Sequence, residues 1–191
     1  MMPLIINPAA TALIIIDLQK GIVDHYPTVP YPAADIVRRS VQLAEALRAR
    51  GGFVAAVNVD FVDGRDVLQP LTDNPPQTGA RPADWARLVP EIDAVKSVGI
   101  TKRQWGAFHG TELDLQLRRR DIDTIVMCGI STSIGVDTTA REAFQHGYRQ
   151  IFAEDAMGAQ TEDEHRYTVS TIFPRIGRVR STEDLLHALQ S

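Results

Sequence analysis

The chain is 191 residues long, with 44% hydrophobic and 23% charged residues and a formal net charge of −4 at pH 7. Because this charge is small and the basic residues are scattered, the composition argues against nucleic acid or an anionic membrane surface as a partner. No apolar run approaches the roughly 20 residues of a membrane span, and the N-terminus lacks the pattern of a signal peptide. We expect a cytoplasmic protein whose residues 1–191 form one domain.

Hydrophobic runs and helical periodicities alternate along the chain. The predicted strands are residues 11–17, 53–59, 95–101, 123–128, 149–154 and 178–180. The predicted helices are residues 32–50, 111–120, 135–147, 161–173 and 182–190. Such alternation indicates an α/β protein with a parallel sheet, helices on both faces and right-handed crossovers.

Residues 60–90 form a long polar stretch without a predicted helix or strand, and they include Pro70, Pro75, Pro76, Pro82 and Pro90. A loop of this length in a compact domain is usually a lid or a binding loop. We therefore expect this stretch to serve the functional site.

The first strand ends in a carboxylate. Asp17 follows four aliphatic residues, a pattern typical of a strand buried on both faces of a parallel sheet. The strand delivers Asp17 to the carboxyl edge of the sheet, where open α/β folds bind their ligands. A carboxylate there is costly unless it is paired or has a chemical role, although an aspartate that only caps the next turn is the alternative.

Two further segments reach the same edge. Lys102 follows the third predicted strand, and residues 129–135 bring small side chains to the start of a predicted helix, where free N–H groups can hold an anion. The glycines at the ends of this segment are six residues apart and do not form a dinucleotide fingerprint, so we expect no cofactor. A carboxylate, an ammonium group and an N–H cradle are the parts of a hydrolytic site.

Three segments resemble the signature blocks of the isochorismatase-like hydrolases, a family of the cysteine-hydrolase superfamily. They are ALIIIDLQ at residues 12–19, KRQWGAFHGT at residues 102–111, and GIST at residues 129–132 leading to TTAR at 138–141. The resemblance implies a Rossmann-like, three-layer α/β/α sandwich on a six-stranded parallel sheet. It also implies a homodimer or homotetramer that acts on a small molecule.

The resemblance assigns roles to particular residues. Asp17 and Lys102 correspond to two members of the family's catalytic triad, and Gly135 stands where most members carry a nucleophilic cysteine. The resemblance further implies a cis peptide between Ile130 and Ser131, which directs the N–H groups of Ser131 and Gly135 into an oxyanion hole. The single cysteine, Cys128, lies seven residues upstream in a predicted strand, and we expect an inert core thiol there.

The isochorismatases proper share the glycine, and they cleave a vinyl ether without a covalent intermediate: the aspartic acid protonates the enol carbon and water attacks the cation. The chain departs from them in having Ser131, Thr132 and Ser133 in place of a Tyr-Ala-His stretch, and Gln104 in place of an arginine. An arginine suits a dicarboxylate substrate, and glutamine does not replace its charge.

The histidines do not form a metal-binding pattern. The chain has five of them, no two close in sequence. Metal-binding members of the family carry an Asp-x-His motif after strand two, and residues 60–63 contain no histidine. We therefore expect no catalytic metal.

Several candidates for substrate contacts have equally plausible structural roles. Gln19, Trp105 and Phe108 are candidates because they neighbour Asp17 or Lys102, although aromatic residues beside a strand end often belong to the core. A helix-entry role for His109 is as plausible as substrate contact. The three remaining candidates form a solvated helix face or a dimer contact: Asp137, Arg141 and Glu142.

The sequence thus predicts a metal-independent hydrolase of a small anionic metabolite, with Asp17 as general acid or base in a close pair with Lys102. Vinyl-ether hydrolysis is one reaction to consider, and hydrolysis of another ether, amide or ester by directly activated water is a second. A catalytically silent binding protein is the alternative from a different class. If burial dominates, Asp17 suits an acid; if Lys102 dominates, it suits a base.

Overall fold

The computed structural model describes residues 4–73 and 81–190. Its sheet has six strands in the order β3-β2-β1-β4-β5-β6, and every neighbouring pair is parallel. The strands are β1 (Thr11–Ile16), β2 (Phe53–Val59), β3 (Val98–Lys102), β4 (Thr124–Ile130), β5 (Arg149–Gly158) and β6 (Arg178–Arg180).

Helices cover both faces of the sheet. They are α1 (Lys20–Val23), α2 (Ala33–Ala49), α3 (Pro90–Val95), α4 (Leu113–Arg118), α5 (Asp137–Gln145), α6 (Glu162–Tyr167), α7 (Phe173–Ile176) and α8 (Thr182–Gln190). A 3₁₀ turn (Pro8–Ala10) precedes β1, and π-helical turns (Thr132–Val136 and Thr168–Ile172) precede α5 and α7. Among the described helices, none is long and apolar enough to cross a membrane.

Two hydrophobic layers enclose the sheet. One contains side chains of α2, α3 and α8 against one face, including Leu43, Ile92 and Leu185. The other contains side chains of α4, α5 and α7 against the opposite face, including Leu117 and Ala140. All six residues of β1 are buried, as expected for the central strand of a parallel sheet. The predicted three-layer α/β/α sandwich is confirmed.

The element boundaries differ from the sequence prediction in several places. Strand β3 begins at Val98 rather than 95, because the preceding apolar residues belong to α3, which starts with Pro90 in its first turn. The predicted helix 161–173 is interrupted by a π-helical turn, and Thr161 and Glu164 form a capping box at its N-terminus. Residues 74–80 of the predicted loop lie outside the described residues.

The strand order creates a crevice at one edge. From β1 the chain adds β2 and β3 on one side, then crosses to place β4 on the other side of β1. Loops therefore diverge where β1 and β4 end, and ligands bind at such a switch point in open α/β sheets. The ends of β1 and β4 carry Asp17 and the segment 130–135.

Candidate active site

Asp17 and Lys102 form a buried ion pair at this edge. Asp17 follows β1 with a φ of 54°, a conformation that aspartate tolerates better than most residues, and its N–H donates to Val57 O at 2.9 Å. Lys102 is the last residue of β3, and its Nζ lies 2.9 Å from Asp17 Oδ2. The predicted close pair of these two side chains is confirmed.

Burial dominates the ionisation of Asp17. It raises the pKa of Asp17 from 3.8 to about 6, and the charge and hydrogen bond of Lys102 oppose this rise. Only one carboxylate oxygen is paired: Asp17 Oδ1 is buried without a hydrogen-bond partner among the described residues. The carboxyl group can therefore exchange a proton near neutral pH at an oxygen to which no group in the described part of the chain is hydrogen-bonded.

Gly135 lies directly beside the pair. A Cβ added at Gly135 would be 3.2 Å from Asp17 Oδ2 and 3.3 Å from Lys102 Nζ. The peptide bond between Ile130 and Ser131 is cis, as the resemblance implied. The segment that joins β4 to α5 thus brings the main chain of Gly135, rather than a reactive side chain, to the acid and the ammonium group.

Thr139 connects the two halves of the site. Its Oγ1 donates to Gly135 O at 2.6 Å and accepts from Ala107 N at 3.2 Å, and its side chain is fully buried. The loop that contains Ala107 also supplies Trp105 O, which accepts a hydrogen bond from Lys102 Nζ at 2.6 Å. One hydroxyl group of α5 therefore fixes both the Gly135 segment and the loop that orients Lys102.

Glu142 supports the same loop from the next turn of α5. Its carboxylate accepts from Phe108 N at 2.9 Å and occupies the space in which a side chain at Gly106 would lie. The prediction of a solvated helix face was therefore wrong for Glu142. Arg141 is exposed and forms an ion pair at 3.0 Å with Asp137, which is half-buried.

Cys128 is remote from this chemistry. Its side chain belongs to the layer packed against α2, on the face of the sheet opposite α5, and Ser40 Oγ donates to its Sγ at 3.3 Å. Burial raises the pKa of the Cys128 thiol to about 12. The thiol therefore remains protonated at neutral pH and suits the expected role in the core.

A cleft of about 630 Å³ opens above the pair. Six of the predicted site residues line it: Asp17, Lys102, Trp105, Ile130, Ser131 and Gly135. Residues from the predicted loop also line it, among them Phe61, Leu68, Arg81 and Trp85. The described part of the long polar stretch thus forms one wall of the cleft.

The structure does not bring Gln19 and Phe108 to the cleft. Gln19 is fully buried, its Nε2 donates to Val59 O and Trp85 O at 3.1 Å, and its Oε1 accepts from Val59 N at 2.8 Å. Phe108 is buried in the core, and its ring stacks on His146 at a centroid distance of 5.1 Å. Both residues hold the fold around the site, and their predicted contact with substrate is not supported.

The sequence analysis expected residues 60–90 to serve the site, but it did not identify the contacts that hold segment 81–88 against the start of α1. Gly21 N donates to Trp85 O at 2.9 Å, and the Trp85 ring fills the space in which a side chain at Gly21 would lie. Lys20 Nζ pairs with Asp84 at 2.8 Å. The signal available in the sequence was the glycine at position 21, which permits this close approach.

Among the described residues, no group of three or more histidine, cysteine, aspartate or glutamate side chains is arranged to hold a metal ion. His109 is exposed, and its carbonyl accepts a hydrogen bond from Gln104. The expectation of a metal-independent site stays a prediction.

A parallel α/β sandwich with an acid–ammonium pair at its switch point is the arrangement of an α/β enzyme site. The family model for the isochorismatase domain matches residues 11–184, and the chain belongs to this family of hydrolases.

Known proteins share both sequence and fold with the chain. It is 54% identical over 184 residues to the isochorismatase family protein YwoC of Bacillus subtilis, covering 94% of each chain. A solved isochorismatase family protein from Burkholderia thailandensis is 40% identical, with 98% of each chain covered and a TM-score of 0.92. The maleamate amidohydrolase of Pseudomonas putida is 27% identical over 193 residues, which cover 94% of this chain and 86% of that protein.

Proposed function

We propose that the protein is a metal-independent hydrolase of a small anionic metabolite, and that it acts without a covalent enzyme intermediate. The observation that carries this proposal is Gly135, whose added Cβ would lie 3.2 Å from Asp17 Oδ2 and 3.3 Å from Lys102 Nζ. A nucleophilic side chain would be activated at that point, and glycine leaves it to water or substrate. Cys128, on the opposite face of the sheet, does not replace it.

In the reaction that we favour, Asp17 is the general acid in the hydrolysis of a vinyl ether. Its carboxyl proton moves to the enol carbon, and the double-bond electrons that take up this proton leave an oxocarbenium ion. Water attacks the cation and returns a proton to the Asp17 carboxylate. The hemiketal then collapses to a ketone and an alcohol. A pKa of about 6 supports this role, because part of the enzyme holds the proton at neutral pH.

Lys102 has a second part in this scheme. When Asp17 gives up its proton, the ammonium group at 2.9 Å stabilises the carboxylate that forms. The same ion pair keeps Asp17 oriented, since Lys102 is itself held by Trp105 O. Lys102 is therefore proposed to lower the energy of the state that follows proton transfer.

Hydrolysis of an amide or ester by directly activated water is the second candidate. The similarity to a maleamate amidohydrolase favours it. In this reaction ionised Asp17 removes a proton from water, and the water oxygen attacks the carbonyl carbon. The N–H groups of Ser131 and Gly135 would then stabilise the oxyanion.

The experiment is a turnover assay with a panel of vinyl-ether carboxylates and of amides and esters of dicarboxylic acids. Asp17→Asn preserves the size and shape of the side chain, and asparagine also tolerates the positive φ at this position. The substitution removes the carboxyl proton that would be transferred. We expect a loss of about 10²- to 10⁴-fold in kcat/KM. Asp24→Asn, at an exposed position after α1, is the matched control.

Three results would contradict the proposal. Unchanged turnover in Asp17→Asn removes the acid/base role, and loss of activity on chelation with recovery on adding zinc or iron removes metal independence. Ligand binding without turnover of any panel member, unaffected by Asp17→Asn, favours the binding protein instead.

A further inference from the structure

We propose that Arg81 binds a carboxylate group of the substrate at the mouth of the cleft. The proposal rests on the proposed function and names the substrate class: a small carboxylate with an apolar body. It also identifies a place for the cationic contact that Gln104 does not provide.

Arg81 is stacked on aromatic rings of the cleft wall. Its guanidinium carbon lies 4.5 Å from the ring centroid of Phe61 and 4.7 Å from that of Trp85. Stacking of this kind holds the planar group in place while its N–H bonds point outward in the plane of the guanidinium group. Those N–H bonds are the donors that match both oxygens of a carboxylate.

The Trp85 platform is fixed to the strand that carries the acid. Trp85 O accepts from Gln19 Nε2 at 3.1 Å and from Gly21 N at 2.9 Å, and both donors follow β1 directly after Asp17. A side chain at Gly21 would meet the Trp85 ring. The position of Arg81 is therefore coupled to that of Asp17 through a short, rigid chain of contacts.

Among the described residues, the other two charged pairs of the cleft do not include Arg81. Lys102 Nζ is 2.9 Å from Asp17 Oδ2, and Arg103 Nε is 3.0 Å from Asp66 Oδ2. Arg81 also lines the cleft, and within residues 4–73 and 81–190 it has no carboxylate partner. An anionic group of the ligand would supply the missing negative charge.

The remaining lining sets the character of the ligand body. The cleft is also lined by aliphatic and aromatic side chains, including Ile22, Tyr26, Val59, Leu68, Trp105 and Ile134. These surfaces suit an apolar or planar unsaturated group. The ligand class is thus a compact carboxylate with its reactive bond at Asp17.

The test measures binding, without turnover, of benzoate and of its neutral analogue benzamide. Both tryptophans of the chain, Trp85 and Trp105, line the cleft, so intrinsic fluorescence reports its occupancy. We expect Arg81→Met to weaken benzoate binding about 10- to 100-fold and to leave benzamide binding unchanged. Arg81→Lys should lie between wild type and Arg81→Met, because lysine keeps the charge without the planar fork.

Two controls separate this proposal from its alternatives. Arg166→Met removes an exposed arginine of α6, which pairs with Asp163, and benzoate binding should not change. Asp17→Asn should retain the benzoate preference, since Arg81 is intact. If the wild type binds benzoate through Arg81 but turns over no substrate, the proposed reaction is wrong and the Arg81 proposal is still supported.

Three outcomes would overturn the Arg81 proposal. They are equal affinity of wild type for benzoate and benzamide, benzoate binding that is unchanged in Arg81→Met, and absence of benzoate binding to wild type. Thermal unfolding of each variant, compared with wild type, checks that the exposed substitution leaves the fold intact.

Discussion

At the scale of single residues, the ion pair of Asp17 and Lys102 presents two opposing effects on one carboxyl group. Burial favours the neutral form of Asp17, and an ammonium group 2.9 Å away favours the carboxylate. Burial is the larger effect, so the pKa rises to about 6. The carboxyl group is therefore ionised in part of the molecules and protonated in the rest near neutral pH, which suits a group that must both donate and recover a proton.

The direction of the pH–rate profile distinguishes the two candidate reactions. If Asp17 acts as an acid, kcat/KM is highest where the group is protonated and falls as pH rises through about 6. If it acts as a base, kcat/KM rises through the same pH. The vinyl-ether reaction therefore predicts a falling profile, and direct activation of water predicts a rising one.

In either reaction, replacing Lys102 should move the part of the pH–rate profile that reflects ionisation of Asp17 to higher pH. Lys102→Met removes the charge and the hydrogen bond that lower the pKa of Asp17, so the pKa rises further. We expect an upward shift of about 1–3 pH units, measured as kcat/KM against pH. Lys96→Met, which removes the half-buried partner of Asp93, is the control and should leave the profile in place. An unmoved limb in Lys102→Met would remove the pair from the mechanism.

At the scale of elements, helix α5 holds in place the two loops that form the site. Thr139 holds Gly135 O and Ala107 N, and Glu142 holds Phe108 N. These contacts join the segment after β4 to the loop after β3, two regions that are not neighbours in the sheet. A single helix thereby sets the distance between the Gly135 main chain and Lys102.

Thr139→Val tests this role with little change in shape. The variant leaves the buried N–H of Ala107 without its Thr139 partner, and we expect a loss of about 1–3 kcal/mol in the free energy of unfolding. Because Gly135 and Lys102 are no longer held together, kcat should fall more than KM rises. Denaturant unfolding and steady-state kinetics measure both effects.

Thr138→Val on the same helix is the control. Thr138 is half-buried beside Thr139, and its replacement should leave stability and kcat nearly unchanged. Equal effects of the two substitutions would show that the hydroxyl group of Thr139 has no special role.

Most of the fold follows from hydrophobic pattern alone. The run 13–16 and the stretch 53–59 identified β1 and β2, because buried parallel strands need continuous apolar residues. The pattern misplaced the start of β3, because only Lys96 and Ser97 separate the last apolar residue of α3 from the first of β3 and neither is a glycine or proline. Helix α1 is only four residues long, which is too short for a periodic signal.

The site was predictable where it depends on strand ends and hidden where it depends on distant contacts. Asp17 follows β1 and Lys102 is the last residue of β3, so the parallel topology brings both to one edge of the sheet. The Gln19 side chain donates hydrogen bonds to the carbonyl groups of Val59 and Trp85, which lie 40 and 66 positions away in the sequence. The residues next to Gln19 in sequence do not indicate these contacts. The placement of Arg81 depends on the same folding back of segment 81–88.

At the scale of the whole molecule, large apolar side chains are exposed in the cleft and beside it. Val62, Leu68 and Trp105 are 80%, 67% and 64% exposed, and the last two line the cleft. Exposed apolar patches of this kind mark surfaces that another molecule covers. The family resemblance implied a dimer or tetramer. Together with these exposed apolar side chains, it leads us to expect that a second copy of the chain helps to close the cleft.

We expect light scattering at micromolar concentration to give a mass that is a multiple of the 21.1 kDa chain. Leu68→Asp places a charge in the patch, and the cost of burying it should shift the mass toward 21.1 kDa. Ile5→Asp changes an equally prominent apolar residue, 85% exposed, near the start of β1, and should leave the mass unchanged.

If a neighbour completes the cleft, turnover per chain should fall on dilution in step with dissociation. A wild-type particle of 21.1 kDa would contradict this assembly, and the exposed residues of the rim would then face only substrate and solvent.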